Sequence, residues 1–207
     1  MGDPSQEVGM DPTELISTGK LNAVFVSIGY RLNIFGFLAG DALKEESSDG
    51  GVGNYGLWDQ RMAMEFIRDH IADFGGDPGN ITLAGRSAGS YGVHAQMLHD
   101  FRRPLQSDSE SQLFHRVFMC SNAIPSQPRP LEESQPQFDE VCRYFKIGSE
   151  LKGPEKLALL RKIDAKELVA AIQHFENHTF RPITDGDFIH QVSFTYHFKL
   201  RLASWSL

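Results

Sequence analysis

The sequence predicts an α/β protein, a partial and mostly parallel sheet with flanking helices, and three observations predict it. First, residues 22–32 form a near-continuous apolar run rich in β-branched and aromatic side chains, and residues 81–86 and 115–121 form shorter ones. Such runs are the pattern of strands covered on both faces. Second, Leu57, Trp58, Met62, Met64, Phe66, Ile67, Ile71 and Phe74 recur every three or four positions, the spacing of an amphipathic helix of about five turns. Third, strand and helix alternate, which right-handed crossovers lay into one parallel sheet.

The elements follow in order. Residues 1–20 carry Gly2, Pro4, Gly9, Pro12 and Gly19 among polar residues, a loop composition with at most one helical turn around Asp11–Ser17. The run 22–32 is placed centrally in the sheet. Residues 36–56 read as a long connection rich in Gly, Ser and acidic residues, exposed and mobile. The helix over 55–74 starts at Asn54, a candidate N-cap, and stops at Gly75-Gly76-Asp77-Pro78, where glycine ends it and proline forbids continuation. It is expected to pack on the sheet. Strand 81–86, a short helix over 88–99 and a buried strand over 115–121 complete three strands lying side by side. Past Asn122, prolines punctuate a loop. Helices with charged faces then fall at 131–146, 154–162 and 164–175 and are expected at the periphery, outside the sheet. Residues 180–189 read as an extended segment with an Asp-Gly turn. Nothing places the stretch from Gln191 to Leu207, so the domain is drawn over 1–190, with 191–207 as an unplaced tail.

The junction of strand 81–86 and the following helix carries Gly85-Arg86-Ser87-Ala88-Gly89, which reads as a nucleophile elbow. A serine on so tight a strand-to-helix turn sits in a strained backbone conformation with its hydroxyl exposed, and the turn closes only where flanking positions lack bulk. Gly85 and Gly89 are read as supplying that space. The N–H of Ala88, the first of the helix, would point at an oxyanion formed by attack of Ser87.

Composition narrows the function. Twenty basic against 27 acidic residues give a net charge of −7, so nothing argues for a nucleic-acid or membrane-surface partner, both of which favour basic patches. No run is long and apolar enough to span a bilayer, and Met1 is followed by Gly2-Asp3-Pro4-Ser5 without the apolar stretch of a secretory signal, so the compartment stays open. Cys120 and Cys142 lack metal-ligand spacing and are expected as free, buried or partly buried thiols rather than a disulfide. No metal site or cofactor is read. Among the histidines, His70, His94, His99 and His115 lie on or beside core elements and read as structural, while His174, His178, His190 and His197 fall in peripheral or unplaced sequence. Asn80-Ile81-Thr82 and Asn177-His178-Thr179 match the N-glycosylation acceptor pattern. Asn80 abuts a strand and reads as a turn asparagine, which leaves Asn177 as the better candidate for a secreted protein.

Four segments, in order, carry a resemblance: Ser27-Ile28-Gly29-Tyr30-Arg31-Leu32, then Asn54 through Ala63 (Asn-Tyr-Gly-Leu-Trp-Asp-Gln-Arg-Met-Ala), then Phe74-Gly75-Gly76-Asp77-Pro78 through Thr82, and Gly85 through Gly89. Together they resemble the type-B carboxylesterase family, the cholinesterase and lipase branch of the α/β-hydrolase fold, over about residues 10–190. Two departures stand out: Arg86 where the family usually has an acidic residue, and Cys120-Ser121-Asn122 where it usually has Gln-Ser-Gly. The resemblance implies a partial α/β-hydrolase fold and hydrolysis of small-molecule carboxylic esters, with Ser87 as nucleophile and Ala88 as an oxyanion-hole donor. It implies a buried ion pair between Arg31 and Asp59, and triad members in the chain order serine, acid, histidine. The family's His-Gly-Gly-Gly loop would lie upstream of the first strand, and its acid and histidine downstream; Asp185-Gly186-Asp187 resembles a segment that precedes the acid. On this reading the chain is a truncated fragment, weak or inactive alone. The alternative is a non-catalytic, cholinesterase-like binding or adhesion module, whose members typically lose the elbow serine.

Overall fold

In the computed structural model, residues 11–48, 51–102, 112–121 and 128–190 are described; the tail over 191–207 lies outside them. The unit that positions the candidate site runs from α4 (Tyr55–His70) through β1 (Thr82–Arg86) and α5 (Ala88–Arg102) to β2 (Arg116–Cys120). β1 and β2 pair in parallel, from Thr82 opposite Arg116 to Arg86 opposite Cys120. α4 continues as a 3-10 turn over Ile71–Phe74 and ends at Gly75, whose φ of +80° is the left-handed stop expected there. Before this unit come α1 (Thr13–Gly19), α2 (Asn33–Phe37) and α3 (Asp41–Glu46). After it come a two-residue strand β3 (Arg129–Pro130), α6 (Gln135–Tyr144), α7 (Gly153–Leu160), α8 (Ala165–Ala171) and β4 (Ile183–Thr184), which pairs in parallel with β3.

The sheet is smaller and barer than the sequence predicts. Residues 21–32 form no strand, and Val24, Phe25 and Val26 are exposed. An apolar run becomes a doubly covered strand only when neighbours pair with it and helices close both faces. Among the described residues β1 pairs with β2 and with no other strand. β1 and β2 alternate exposed and half-buried positions, so one face is covered and the other bare. The covered face rests on Met64 of α4, with Leu113 and Phe114, against Leu83, Met97 and Val117. Thus α4 does reach the sheet, but Met62, Phe66 and Phe74 face solvent.

The largest core instead lies among helices. Phe138, Val141 and Cys142 of α6, Leu157 and Leu160 of α7, Ala171 of α8, and Phe175, Phe180 and Phe188 close around Ile34 and Phe37 of α2 and Leu57 of α4. The helices after residue 130 therefore lie outside the sheet, as expected, yet they are not peripheral. Their charged outer faces hide apolar inner ones that supply most of this cluster. The connection over 36–56 is corrected as well: it folds α3 and buries Phe37, Ala39, Ala42 and Val52. Asn54 stands at the start of α4 without capping it through its side chain. Its amide reaches across the chain, donating to the Ile183 carbonyl at 2.9 Å and accepting from the Ile183 N–H at 3.0 Å, in the manner of a strand neighbour. Among the described residues no helix is long and apolar enough to cross a membrane.

Candidate active site

Ser87 sits between the last residue of β1 and the first of α5, exposed, with φ of +52°. A left-handed backbone at a non-glycine residue costs of order 1–3 kcal/mol and persists only where the surroundings fix it. Here the Ser87 N–H continues the β1–β2 ladder by donating to the Cys120 carbonyl at 2.9 Å, while its own carbonyl accepts from the Tyr91 N–H at 3.2 Å as α5 begins. One residue thus ends a strand and starts a helix. The Ala88 N–H opens α5, where the first N–H groups have no acceptor within the helix and carry its positive end.

The two glycines of the elbow are not equivalent. A Cβ on Gly85 would stand 2.3 Å from the Gly89 carbonyl oxygen and 2.8 Å from the Ser90 nitrogen, so the strand and the returning helix touch there. A Cβ on Gly89 would meet nothing within 4 Å. The expectation that both glycines make room is corrected: the close approach is one-sided, because it is the backbone of Gly89 that occupies the place of a Gly85 side chain. Arg86 points to the exposed side of β1. β2 ends like β1, with Ser121 at φ of +58° beside the elbow. Asn122 lies outside the described residues.

α5 is held in place by polar contacts that the sequence reading did not anticipate. Gln96, almost fully buried, donates to the Leu57 carbonyl of α4 at 2.7 Å. The buried Arg61 meets Asp100 of α5 at 2.6 Å, a charge contact off the line of a good hydrogen bond. A signal was present: Arg61 lies four residues after Leu57 and three before Met64, so it falls on the apolar face of α4, where an unpaired charge would be costly.

The Arg31–Asp59 contact forms. The guanidinium grips the carboxylate with two bonds of 2.7 Å, and the Arg31 N–H adds a third at 2.9 Å. The hydrogen bonds from Arg31 hold the Asp59 carboxyl below the usual carboxylate range, and the same pairing raises the guanidinium. The expectation of a buried pair is corrected, since the Arg31 side chain is 51% exposed and that of Asp59 23%. The Tyr55 ring lies 5.4 Å from the guanidinium, but residues 21–32 form no strand beside it and half of the Arg31 side chain stays in solvent.

Several histidines have partners of their own. His99 is buried, stacked on Phe188 and edge-on to Trp58, with Nδ1 3.3 Å from the Phe188 carbonyl oxygen. His115 accepts from the Ile81 N–H, His70 stands 4.0 Å from Asp73, and His174 stacks on Tyr144. Among the described residues no group of three or more His, Cys, Asp or Glu side chains is arranged to hold a metal ion.

Comparison with known proteins decides the family. The sequence model of the carboxylesterase family matches residues 1–198. The chain belongs to the carboxylesterase family. An uncharacterized esterase/lipase of Schizosaccharomyces pombe is 40% identical over 195 residues, 94% of this chain and 35% of that protein. A carboxylic ester hydrolase of Gibberella moniliformis is 42% identical over 181 residues, 86% of this chain and 32% of its own length. The solved carboxylesterase of Geobacillus stearothermophilus superposes with a TM-score of 0.68 at 31% identity, over 87% of this chain and 36% of that one. The fold is thus a partial α/β-hydrolase fold, and the chain spans about a third of the length of the curated carboxylesterases it matches.

Proposed function

We propose that this chain carries the nucleophile segment of a serine carboxylic ester hydrolase, with Ser87 as the attacking residue and small-molecule esters as substrates. The observation that supports the reading best is the backbone of Ser87, a left-handed, exposed serine joining a parallel strand to a helix N-terminus. Held there, Ser87 Oγ attacks the ester carbonyl carbon while a histidine takes its proton. The negative charge that gathers on the carbonyl oxygen is met by the Ala88 N–H, a donor fixed before the reaction begins. Collapse of the tetrahedral intermediate expels the alcohol, which takes the proton back, and water then releases the acid from the acyl-serine by the same steps in reverse order. No residue of this chain is assigned as the base or as the carboxylate that orients it.

The test is covalent labelling. A fluorophosphonate probe applied to the protein at its full natural length, followed by peptide mapping, is expected to mark Ser87, and Ser87→Ala is expected to abolish the mark. A folded protein that leaves Ser87 unlabelled overturns the proposal in favour of a binding module that keeps the fold without the chemistry.

A further inference from the structure

The two Asn-x-Thr tripeptides sit in opposite surroundings. In Asn80-Ile81-Thr82 every residue is committed to the sheet. The Asn80 side-chain oxygen accepts from the Arg116 guanidinium. Ile81 donates its N–H to His115 Nδ1 at 3.1 Å and accepts from the His115 N–H at 2.7 Å. Thr82 opens β1 opposite Arg116. A glycan on Asn80 Nδ2 would stand on the same amide whose oxygen holds the Arg116 guanidinium, crowding the mouth of the β1–β2 ladder.

Asn177-His178-Thr179 stands between two buried anchors, Phe175 and Phe180, whose rings meet edge-on. The residues between the anchors are all exposed. The loop is nonetheless held, and held through its backbone. The Glu140 carboxylate accepts from the N–H groups of Glu176, at 2.6 Å, and Asn177, at 3.4 Å. The Gln137 amide donates to the carbonyls of Asn177 and Thr179. These contacts fix the tripeptide against α6 without using the Asn177 amide or the Thr179 hydroxyl, the two groups an acceptor site needs.

We propose that Asn177 is a site of N-linked glycosylation. In the transfer, the Asn177 Nδ2 attacks the anomeric carbon of an oligosaccharide carried on a polyprenyl diphosphate. The C–N bond forms, the C–O bond to the diphosphate breaks, the diphosphate leaves with the electron pair, and Nδ2 loses one proton. The folded loop accepts the product because its anchors and hydrogen bonds stay in place when Nδ2 is substituted. This inference is independent of the role of Ser87.

The full chain, secreted from a eukaryotic host with an added control acceptor tripeptide on a terminal tag, is treated with peptide N-glycosidase in isotopically heavy water, which converts each glycosylated Asn to labelled Asp. Heavy Asp at 177 is expected, lost in Thr179→Ala and retained in Thr179→Ser, with Asn80→Gln leaving it unchanged. An unlabelled Asn177 in a preparation whose control tripeptide is modified, or labelling of Asn80 in its place, overturns the site.

Discussion

Phe138 on α6 and Phe118 on β2 are the same side chain in opposite circumstances, the first 1% exposed and the second 62%. One belongs to the helical cluster that joins α2 to Phe188, the other to the bare face of a two-stranded sheet. The contrast separates where this chain stores stability from where it carries its candidate chemistry. Apolar burial is concentrated in the helices, whereas the elbow rests on the lightly packed half and owes its shape to local backbone contacts. Phe138→Ala is therefore expected to cost about 3–5 kcal/mol, the range for emptying a core aromatic site, and Phe118→Ala less than about 0.5 kcal/mol. Urea unfolding of the two variants measures both. Similar losses would show the sheet face to be covered in solution.

The two cysteines repeat the comparison in chemical terms. Burial pushes the Cys142 thiol up to about 11, while Cys120 is exposed on β2. Raised from its ordinary value by burial, the Cys142 thiol holds far less thiolate near neutral pH, and exclusion of reagent adds to this. Alkylation at pH 8 followed by mass mapping is expected to mark Cys120 first and Cys142 only as the helical core opens. The linkage has a definite sign: the native state keeps the Cys142 proton that the unfolded chain gives up, so this residue makes stability fall as pH climbs from about 9 toward 11. Equal reactivity would place the two thiols in one environment.

Within the sheet half, the elbow glycines set a finer contrast. Gly85→Ala forces a methyl group into the Gly89 backbone and is expected to cost about 1–3 kcal/mol, as overpacking does, and to lower fluorophosphonate labelling of Ser87 by distorting the turn. Gly89→Ala has open space and a helical position, so it is expected to be neutral or to stabilise by up to about 1 kcal/mol. Thermal unfolding of both variants beside their labelling rates tests the asymmetry. A Gly89→Ala variant as damaged as Gly85→Ala would mean that the strand and helix close more tightly than the structure has them.

How much of this was legible depends on range. The α4 periodicity, the glycine stop at Gly75 and the strained turn at Ser87 follow from residues within one or two turns of each other, and the parallel order of β1 and β2 from the alternation of strand and helix, so short patterns report them well. What escaped depends on partners far along the chain. Residues 21–32 have the composition of a covered strand, but composition cannot say whether neighbours arrive to pair with it. Asn54 looked like a helix cap because caps are local, while its amide is spent on Ile183. The helical core went unseen because α6, α7 and α8 present charged outer faces, and their inward residues become a core only when Phe37, Leu57 and Phe188 meet them.

The Arg31–Asp59 pair lies where the two halves meet, and it sharpens the comparison at the small end of the scale. Were it buried as the resemblance implied, removing one partner would strand a charge and cost about 3–5 kcal/mol. With Arg31 half in water the expected loss for Asp59→Ala is about 0.5–1 kcal/mol, near the top of the range for exposed pairs because the contact is bidentate. The Asp59 carboxyl is held low by its bonds to Arg31. Its contribution is therefore complete above the ordinary carboxylate range and disappears as pH falls below about 4. Unfolding free energies of the wild type and Asp59→Ala, compared at pH 7 and at low pH, should differ at the first and converge at the second. A loss several times larger at pH 7 would mean that the apolar run beside Arg31 does become a covered strand in solution, closing over the guanidinium and extending the sheet on the side of the elbow.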